Sequence, residues 1–334
     1  MKNYLVEEIL TPVNERLRPE KETAITVLLS LVVGISVFLI ATEIFPYHTS
    51  NHDEGVYLQQ AEMLLDGQLF MYPGELADAF RTWFFVVDGG KMYPKYSPVP
   101  AVVFGLGKLI GSFRLSLAVV GALNAFLVYL IATEAFDRKV GVASVVALAL
   151  SPFFLVQSSV FLPYAPTTFF NLMFAFSYVR SLRTQGRSAR RVYSSLAGIS
   201  IGIAFFSRPY TAFLFALPFI VHALYTLAKS LEDRRQAVEA IKNYSLISFF
   251  GVAFVGITLA YNAVMTGSPF LFPYLVFAPN DGLGFGRHSL LGHSRVYDIE
   301  TAIRANYYVL RYFILYWFSG GLVGVLLLGV GLTS

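Results

Sequence analysis

The chain of 334 residues contains no cysteine, and only 14% of its residues are charged. Without cysteine, the sequence excludes a disulfide framework, a thiolate metal site and a cysteine nucleophile. Soluble globular proteins carry about a quarter charged residues, so an ordinary water-soluble protein is also excluded. The low charge further excludes intrinsic disorder and a long coiled coil, which both depend on abundant charged side chains.

Hydrophobic residues make up 56% of the sequence, and the mean hydropathy is +0.60. They are collected into long uncharged blocks, and a helix needs about 20 apolar residues to cross the hydrocarbon core of a bilayer. The blocks predict an all-α polytopic membrane protein with about eight transmembrane helices. The predicted spans are 24–45, 113–133, 140–158, 164–180, 193–207, 209–228, 244–264 and 307–332.

Lysine and arginine are concentrated in four segments that an eight-span topology places on one side of the membrane. These segments are 1–23, 134–139, 180–192 and 229–243. Because positively charged short loops tend to remain cytoplasmic, the N-terminus is predicted to be cytoplasmic. The net charge of +4 is then a property of the topology, and no nucleic-acid partner is expected. A cytoplasmic interfacial segment, 1–23, precedes a transmembrane domain, 24–334, whose long outward loops are 46–112 and 265–306.

The first outward loop has apolar residues at helical spacing over residues 54–66 and again in a stretch that begins at Pro98. This spacing predicts two amphipathic surface helices. Asp53 and Glu54 stand at the start of the first helix, just beyond the first span. Such acids suit a general base, which accepts a proton from an acceptor hydroxyl. An aspartate that only caps a helix would look the same in the sequence.

Several short motifs follow one another in a specific order. They are Asp53-Glu54-Gly55-Val56-Tyr57, Lys95-Tyr96-Ser97-Pro98, Ser207-Arg208-Pro209 and Tyr261-Asn262 followed by Thr266-Gly267-Ser268-Pro269. This series resembles the C-type glycosyltransferases, polytopic enzymes that use polyprenyl-phosphate-linked sugars. It is most similar to the branch of protein mannosyltransferases and lipid A aminoarabinose transferases. The resemblance covers about residues 24–290.

The resemblance implies a transfer, with inversion, of a sugar from a polyprenyl (dolichyl-type) phosphate donor to an acceptor on the outward face of the membrane. It implies that Asp53 is the general base and that Glu54 is a supporting acid. Lys95 and Arg208 are expected to bind the donor phosphate, where negative charge develops as the sugar departs. The acceptor is expected to be a lipid, a glycan or a protein, and the sequence does not name the sugar.

The sequence departs from the family in two ways. Many relatives carry an acid or a histidine shortly after the third span, whereas residues 158–164 contain neither. Family members are also commonly longer, so the chain is expected to be either a compact member or a truncated piece.

The second outward loop offers Arg287, His288 and His293 as candidates for substrate contact, in a segment expected to close over the substrate. The Gly-x-Gly spacing at 282–286 lacks the flanking strand and helix of a dinucleotide fingerprint. The histidines of the two outward loops are too scattered to match the tight ligand spacings of metal sites. No cofactor is therefore predicted, and a divalent ion held by these histidines beside Asp53 stays open as an alternative.

Two other functions stay open at this point. A polytopic transporter or lipid flippase would share the hydropathy pattern, although few ionisable residues fall at mid-membrane depth, where transport sites are usually marked. A non-catalytic membrane subunit would explain the missing second acid. An outward groove lined by lysine or arginine favours the enzyme, and a central polar cavity favours the transporter.

Overall fold

The computed structural model describes residues 21–80, 83–317 and 324, and these residues form mainly helices. In chain order the helices are α1 (Lys21–Leu39, continued by a π-helical turn at Ile40–Ile44), α2 (Asp53–Leu65), α3 (Ala77–Phe80), α4 (Val99–Leu109), α5 (Phe113–Ala135), α6 (Arg138–Ala149), α7 (Pro152–Ser158), α8 (Tyr164–Arg183), α9 (Arg187–Ser207), α10 (Pro209–Ser230), α11 (Arg234–Thr266), α12 (Pro273–Phe277) and α13 (Ile299–Tyr312, continued by a π-helical turn at Phe313–Trp317).

Two antiparallel hairpins accompany the helices, and the prediction of an all-α chain omitted both. Strand β1 (Phe85–Asp88) pairs with β2 (Lys91–Pro94), and β3 (Gly286–Leu290) pairs with β4 (His293–Tyr297). The first hairpin turns through Gly89 and Gly90, whose φ angles are +55° and +78°. Two successive positive φ angles define a turn that matches the twist of the strands, and glycine adopts them without steric cost.

Four of the described helices are long and apolar enough to cross a membrane: α1 with its π-helical turn, α5, α10 and α11. They coincide with the predicted spans 24–45, 113–133, 209–228 and 244–264. The chain is therefore an integral membrane protein with several apolar helices. Helices α8 and α9 coincide with the predicted spans 164–180 and 193–207, but they are less apolar and carry many buried polar residues.

The predicted span 140–158 is broken in the middle. Helices α6 and α7 meet there at an angle of 71°, and together they are long and apolar enough for one bent span. The break lies where Pro152 begins α7 after the N-cap Ser151, whose hydroxyl accepts a hydrogen bond from the backbone N–H of Phe154. Proline has no N–H and clashes with the preceding turn, so a straight helix cannot pass through this point.

The count of eight spans stays a prediction. The last predicted span, 307–332, starts inside α13, which already begins at Ile299, and most of its remainder lies outside the described residues. The interfacial segment 1–23 also lies outside them, except for the residues that begin α1.

Helix α9 packs closely against α11 along a line of small residues. A Cβ atom placed on Gly198 would lie 2.4 Å from the carbonyl oxygen of Ile247, and one on Gly202 would lie 2.6 Å from Cβ of Phe254. Small residues four apart let two membrane helices approach at their backbones. This contact fixes α11, whose C-terminal end reaches the first outward loop.

The first outward loop is folded between the helix ends, not spread on the surface. Helices α2 and α4 cover almost the same residues as the predicted helices at 54–66 and from Pro98 onwards. They pack against each other and against α1 and α5. The β1–β2 hairpin packs one face on Val56 and Met63 of α2 and the other on Met265 of α11. The hairpin therefore links the start of α2 to the end of α11.

Candidate active site

Asp53 is the first residue of α2, and its side chain does not cap the helix. The N-cap is His52, which makes no capping hydrogen bond through its side chain. The backbone N–H of Asp53 donates instead to the side-chain oxygen of Asn51, at 3.0 Å. The carboxylate of Asp53 is consequently free to face other groups, which removes the simple capping alternative.

The partner of Asp53 comes from the segment after the first hairpin. The ammonium nitrogen of Lys95 lies 3.8 Å from Oδ1 of Asp53. The Tyr96 hydroxyl also hydrogen-bonds to Asp53, and burial together with this bond raises the pKa of Tyr96. The tyrosine thus stays protonated and donates to the carboxylate. Two donors from adjacent residues hold the acid.

Lys95 is almost completely buried, and aromatic rings enclose its ammonium group. The nitrogen lies 3.8 Å from the ring centre of Phe84, 4.7 Å from those of Tyr96 and Phe277, and 5.5 Å from that of Tyr274. Burial lowers the pKa of Lys95, and the charge of Asp53 acts in the opposite direction. Aromatic faces attract a desolvated cation by about 2 kcal/mol, so the rings offset part of the cost of burying this charge.

The backbone around Lys95 is fixed from three directions. The carbonyl oxygen of Tyr96 accepts hydrogen bonds from the side-chain amide of Gln60, at 3.2 Å, and from the Tyr261 hydroxyl, at 3.3 Å. The hydroxyl of Ser97 donates to the carbonyl oxygen of Phe206 at the end of α9. The motif Lys95-Tyr96-Ser97 is therefore anchored to α2, α11 and α9.

Glu54 is oriented away from Asp53 and is 1% exposed. Its Oε1 accepts from the backbone N–H and the hydroxyl of Thr49, and its Oε2 accepts from the backbone N–H of Phe161, at 2.8 Å. The carboxylate joins the first outward loop to the connection between α7 and α8. These contacts favour a structural role for Glu54.

A cavity of about 400 Å³ opens beside the Asp53–Lys95 pair. Its wall includes the following residues of both outward loops: Ser50, Asn51, His52, Asp53, Phe84, Lys95, Tyr96, Tyr274 and Leu290. Leu290 belongs to the second hairpin, so that hairpin contributes one residue to the wall of the cavity.

A second acid, Asp281, lies near the cavity and was not among the site residues predicted from the sequence. Its Oδ2 accepts a hydrogen bond from the hydroxyl of Tyr274, and its Oδ1 lies 3.4 Å from Nδ1 of His288. The charge of Asp281 also acts on the pKa of Lys95. Asp281 stands far from Asp53 in the sequence, so only the tertiary structure reveals that the two acids flank one lysine.

The remaining predicted residues have different positions. Arg208 lies over the ring of Tyr164, at 4.9 Å, and near Tyr57, whose pKa its charge lowers while burial raises it. Tyr57 stacks on Tyr96, so Arg208 is connected to the cavity through two rings. His288 reaches Asp281, whereas Arg287 and His293 are exposed on the second hairpin and do not line the cavity.

Metal binding has no clear basis among the residues that the structure describes. No group of three or more histidine, aspartate or glutamate side chains in that part of the chain could hold a metal ion. Asp53 and Asp281 are already engaged by cationic and phenolic groups.

Comparisons with known proteins give a consistent picture. A family model described as dolichyl-phosphate-mannose-protein mannosyltransferase matches residues 99–241, from α4 to the first turns of α11. The match includes Arg208 and leaves out Asp53 and Lys95. A comparison with curated proteins found no match.

Two solved structures share the fold. The S. cerevisiae protein O-mannosyltransferase Pmt1-Pmt2 complex bound to the sugar donor is 14% identical, with a TM-score of 0.56 over 78% of this chain and 36% of that chain. The Archaeoglobus fulgidus oligosaccharyltransferase in its apo form is 19% identical, with a TM-score of 0.50 over 76% of this chain and 31% of that chain. The chain thus spans about a third of the length of either protein.

The partial family match and the shared fold both agree with the C-type glycosyltransferase class that the sequence motifs implied.

Proposed function

We propose that the chain transfers a sugar from a polyprenyl-phosphate donor to an acceptor hydroxyl at the cavity beside Asp53. The observation that carries the proposal is the juxtaposition of Asp53, Lys95 and Tyr96 in a cavity formed by both outward loops. The family match to a dolichyl-phosphate-mannose-dependent enzyme supports the donor class. The acceptor is a protein, a glycan or a lipid.

Asp53 acts as the general base in this proposal. As the acceptor oxygen forms a bond to the anomeric carbon, its proton passes to the Asp53 carboxylate, and the bond from that carbon to the phosphate oxygen breaks. The electron pair leaves with the polyprenyl phosphate. Attack opposite the leaving group inverts the configuration of the sugar. The carboxylate is 30% exposed, so an acceptor can reach it.

Lys95 and Arg208 supply the positive charge that the leaving phosphate requires. A cation in a poorly solvated site stabilises developing negative charge more strongly than it does in water. Lys95 lines the cavity and also holds Asp53 in place. No acid in the described part of the chain pairs with Arg208, so its charge is available to a phosphate.

Asp281 provides the second acid that residues 158–164 lack. The hydrogen bond from Tyr274 keeps Asp281 close to Lys95, and His288 links Asp281 to the second hairpin. We propose that Asp281 balances the charge of Lys95 and orients the acceptor or the sugar after the hairpin closes.

The test measures sugar transfer by purified protein in membranes. The donor is a radiolabelled polyprenyl-phosphate hexose, and the acceptor is a mixed cell-envelope extract. Wild type should transfer label, and Asp53→Asn should lose about 100- to 10,000-fold in rate, the usual contribution of a positioned general base. Asp66→Asn provides a matched control, because Asp66 is an exposed residue at the opposite end of α2.

Donor binding separates the base from a merely structural residue. Binding of the labelled donor to Asp53→Asn should stay within about threefold of wild type, while turnover is lost. Full turnover in Asp53→Asn would remove Asp53 from its role. Absence of transfer by wild type, with donor and extract active towards a known transferase, would favour a non-catalytic subunit.

A further inference from the structure

A second and larger cavity, of about 530 Å³, lies away from the candidate active site, between the N-terminal turns of α9 and α11. Four cationic residues line it: Arg187, Arg190 and Arg191 of α9 and Lys242 of α11. Glu239 is the single acid among its lining residues. The wall therefore carries a net charge of +3, from four cations and one carboxylate.

The acid does not neutralise all of the cations. Glu239 contacts Arg190, at 3.2 Å, and Lys242, at 3.5 Å. Arg190 also donates two hydrogen bonds to the carbonyl oxygen of Thr184, which closes the connection between α8 and α9. Within the described part of the chain, Arg187 and Arg191 make neither an ion pair nor a hydrogen bond through their side chains.

The interior of the cavity is both polar and apolar. Ser194 and Asn243, both buried, hydrogen-bond to each other at its floor, and Asn243 donates onward to Ser181. Leu246 and Phe249 continue the wall along α11 towards the middle of the helix, and Phe249 is 66% exposed. Cations at one end and exposed apolar side chains at the other give the cavity the polarity of a phospholipid, headgroup first and acyl chain behind.

We propose that this cavity binds a phosphate group, and that the phosphate belongs to the headgroup of an anionic membrane lipid. Arginine donates to phosphate oxygens in a planar, bidentate geometry, and the two unpaired arginines stand one turn apart on α9. A free phosphate ion would use only the charged end of the cavity. A lipid would also place its hydrocarbon chain along the apolar wall at Leu246 and Phe249, where α11 enters its predicted span. Basic pockets between membrane helices are known to hold lipid headgroups.

The experiment measures binding of fluorescent phosphatidylglycerol to the full chain in detergent micelles. The variant is Arg187→Gln with Arg191→Gln. Each cation near an anionic lipid headgroup contributes about fivefold in affinity, so the double variant should bind about 25-fold more weakly. Arg234→Gln with Arg235→Gln is the matched control, because these two exposed arginines begin α11 without lining the cavity. The control should change affinity less than about threefold.

Three comparisons decide the outcome. Thermal unfolding should be the same for both double variants and wild type, since none of the four side chains holds another described element in place. Phosphatidylcholine should not compete, and inorganic phosphate should not displace the lipid at comparable concentration. Equal losses in both double variants would mean a non-specific attraction and overturn the site. Displacement by inorganic phosphate that depends on Arg187 and Arg191 would overturn the lipid assignment and leave a soluble anion as the ligand.

Discussion

The two members of the Asp53–Lys95 pair differ sharply in exposure: the side chain of Asp53 is 30% exposed, and that of Lys95 only 4%. Water can reach the carboxylate of Asp53, whereas aromatic rings enclose the ammonium group of Lys95. Burial lowers the pKa of Lys95, so the charged form depends on Asp53 and on the aromatic faces around it. The geometry suits a lysine that fixes the position of the acid and projects its charge into the cavity.

The role of Glu54 is open to a direct test of stability. A glutamine at this position keeps the size of the side chain but turns one acceptor into a donor, which then opposes the N–H of Thr49 or Phe161. A buried N–H that loses its acceptor costs about 2 kcal/mol. We expect Glu54→Gln to lower the thermal unfolding temperature of the purified protein in detergent by several degrees, for a loss of that size.

The control for this change is Glu62→Gln on the same helix. Glu62 is half exposed, and its partner Lys108 is also at the surface. Exposed ion pairs contribute less than about 1 kcal/mol, so this variant should unfold close to wild type. An unfolding temperature for Glu54→Gln equal to that of Glu62→Gln would show that the buried contacts of Glu54 do not hold the loop.

The positions of the two helices in the first outward loop were predicted well from the sequence, and the two hairpins were not predicted. The period of apolar residues predicted α2 and α4 to within about two residues, because each helix buries one face. The first hairpin had a usable signal, an Asp-Gly-Gly turn between short runs of hydrophobic residues. The second hairpin, with its exposed strand His293–Tyr297, has no alternation of apolar and polar residues that would mark it.

The close packing of α9 on α11 makes a prediction at the scale of these elements. Gly198→Ala places a methyl group 2.4 Å from the carbonyl oxygen of Ile247, which is too close for contact, so the two helices must separate. Overpacking of this kind costs about 1–3 kcal/mol. We expect the unfolding temperature to fall. We also expect hydrogen exchange near the C-terminal end of α11, which supports the Lys95 segment through Tyr261, to become faster.

Gly256→Ala on α11 is the matched control. Outside the backbone of α11 itself, no atom lies within 4 Å of a Cβ at this position. Alanine also has a higher helix propensity than glycine. Its unfolding temperature should equal or exceed that of wild type. If both alanine variants behaved alike, the close approach of α9 and α11 would not be a determinant of stability.

The candidate site is formed from distant parts of the whole chain, which limits how far the sequence can predict it. Asp53 and Lys95 were identified because each stands in a recognisable motif at the start of a helix. The pair of Asp281 with Tyr274, and the ring of Phe277 over Lys95, depend on how the second outward loop folds onto the first. No periodicity in the sequence encodes that contact, since it joins two loops through an irregular surface.

The arrangement of both cavities across the membrane makes the last prediction. The candidate active site belongs to the loops predicted to face outward, and the arginine-lined cavity to a segment predicted to be cytoplasmic. Because the chain has no cysteine, single cysteines report on one position each. In intact cells, an impermeant maleimide should label Gln68→Cys and Ser294→Cys. It should label Ser188→Cys only after the membrane is permeabilised.

All three positions are exposed, so accessibility in the folded chain is equal and only the side of the membrane differs. Labelling of Ser188→Cys in intact cells, together with protection of the other two cysteines, would show the opposite orientation. The positively charged loops would then face outward, against the usual rule. Labelling of all three would mean that α9 and the outward loops lie on the same side. The two cavities would then face one compartment, and an anionic lipid at the arginines would belong to the same leaflet surface as the sugar donor.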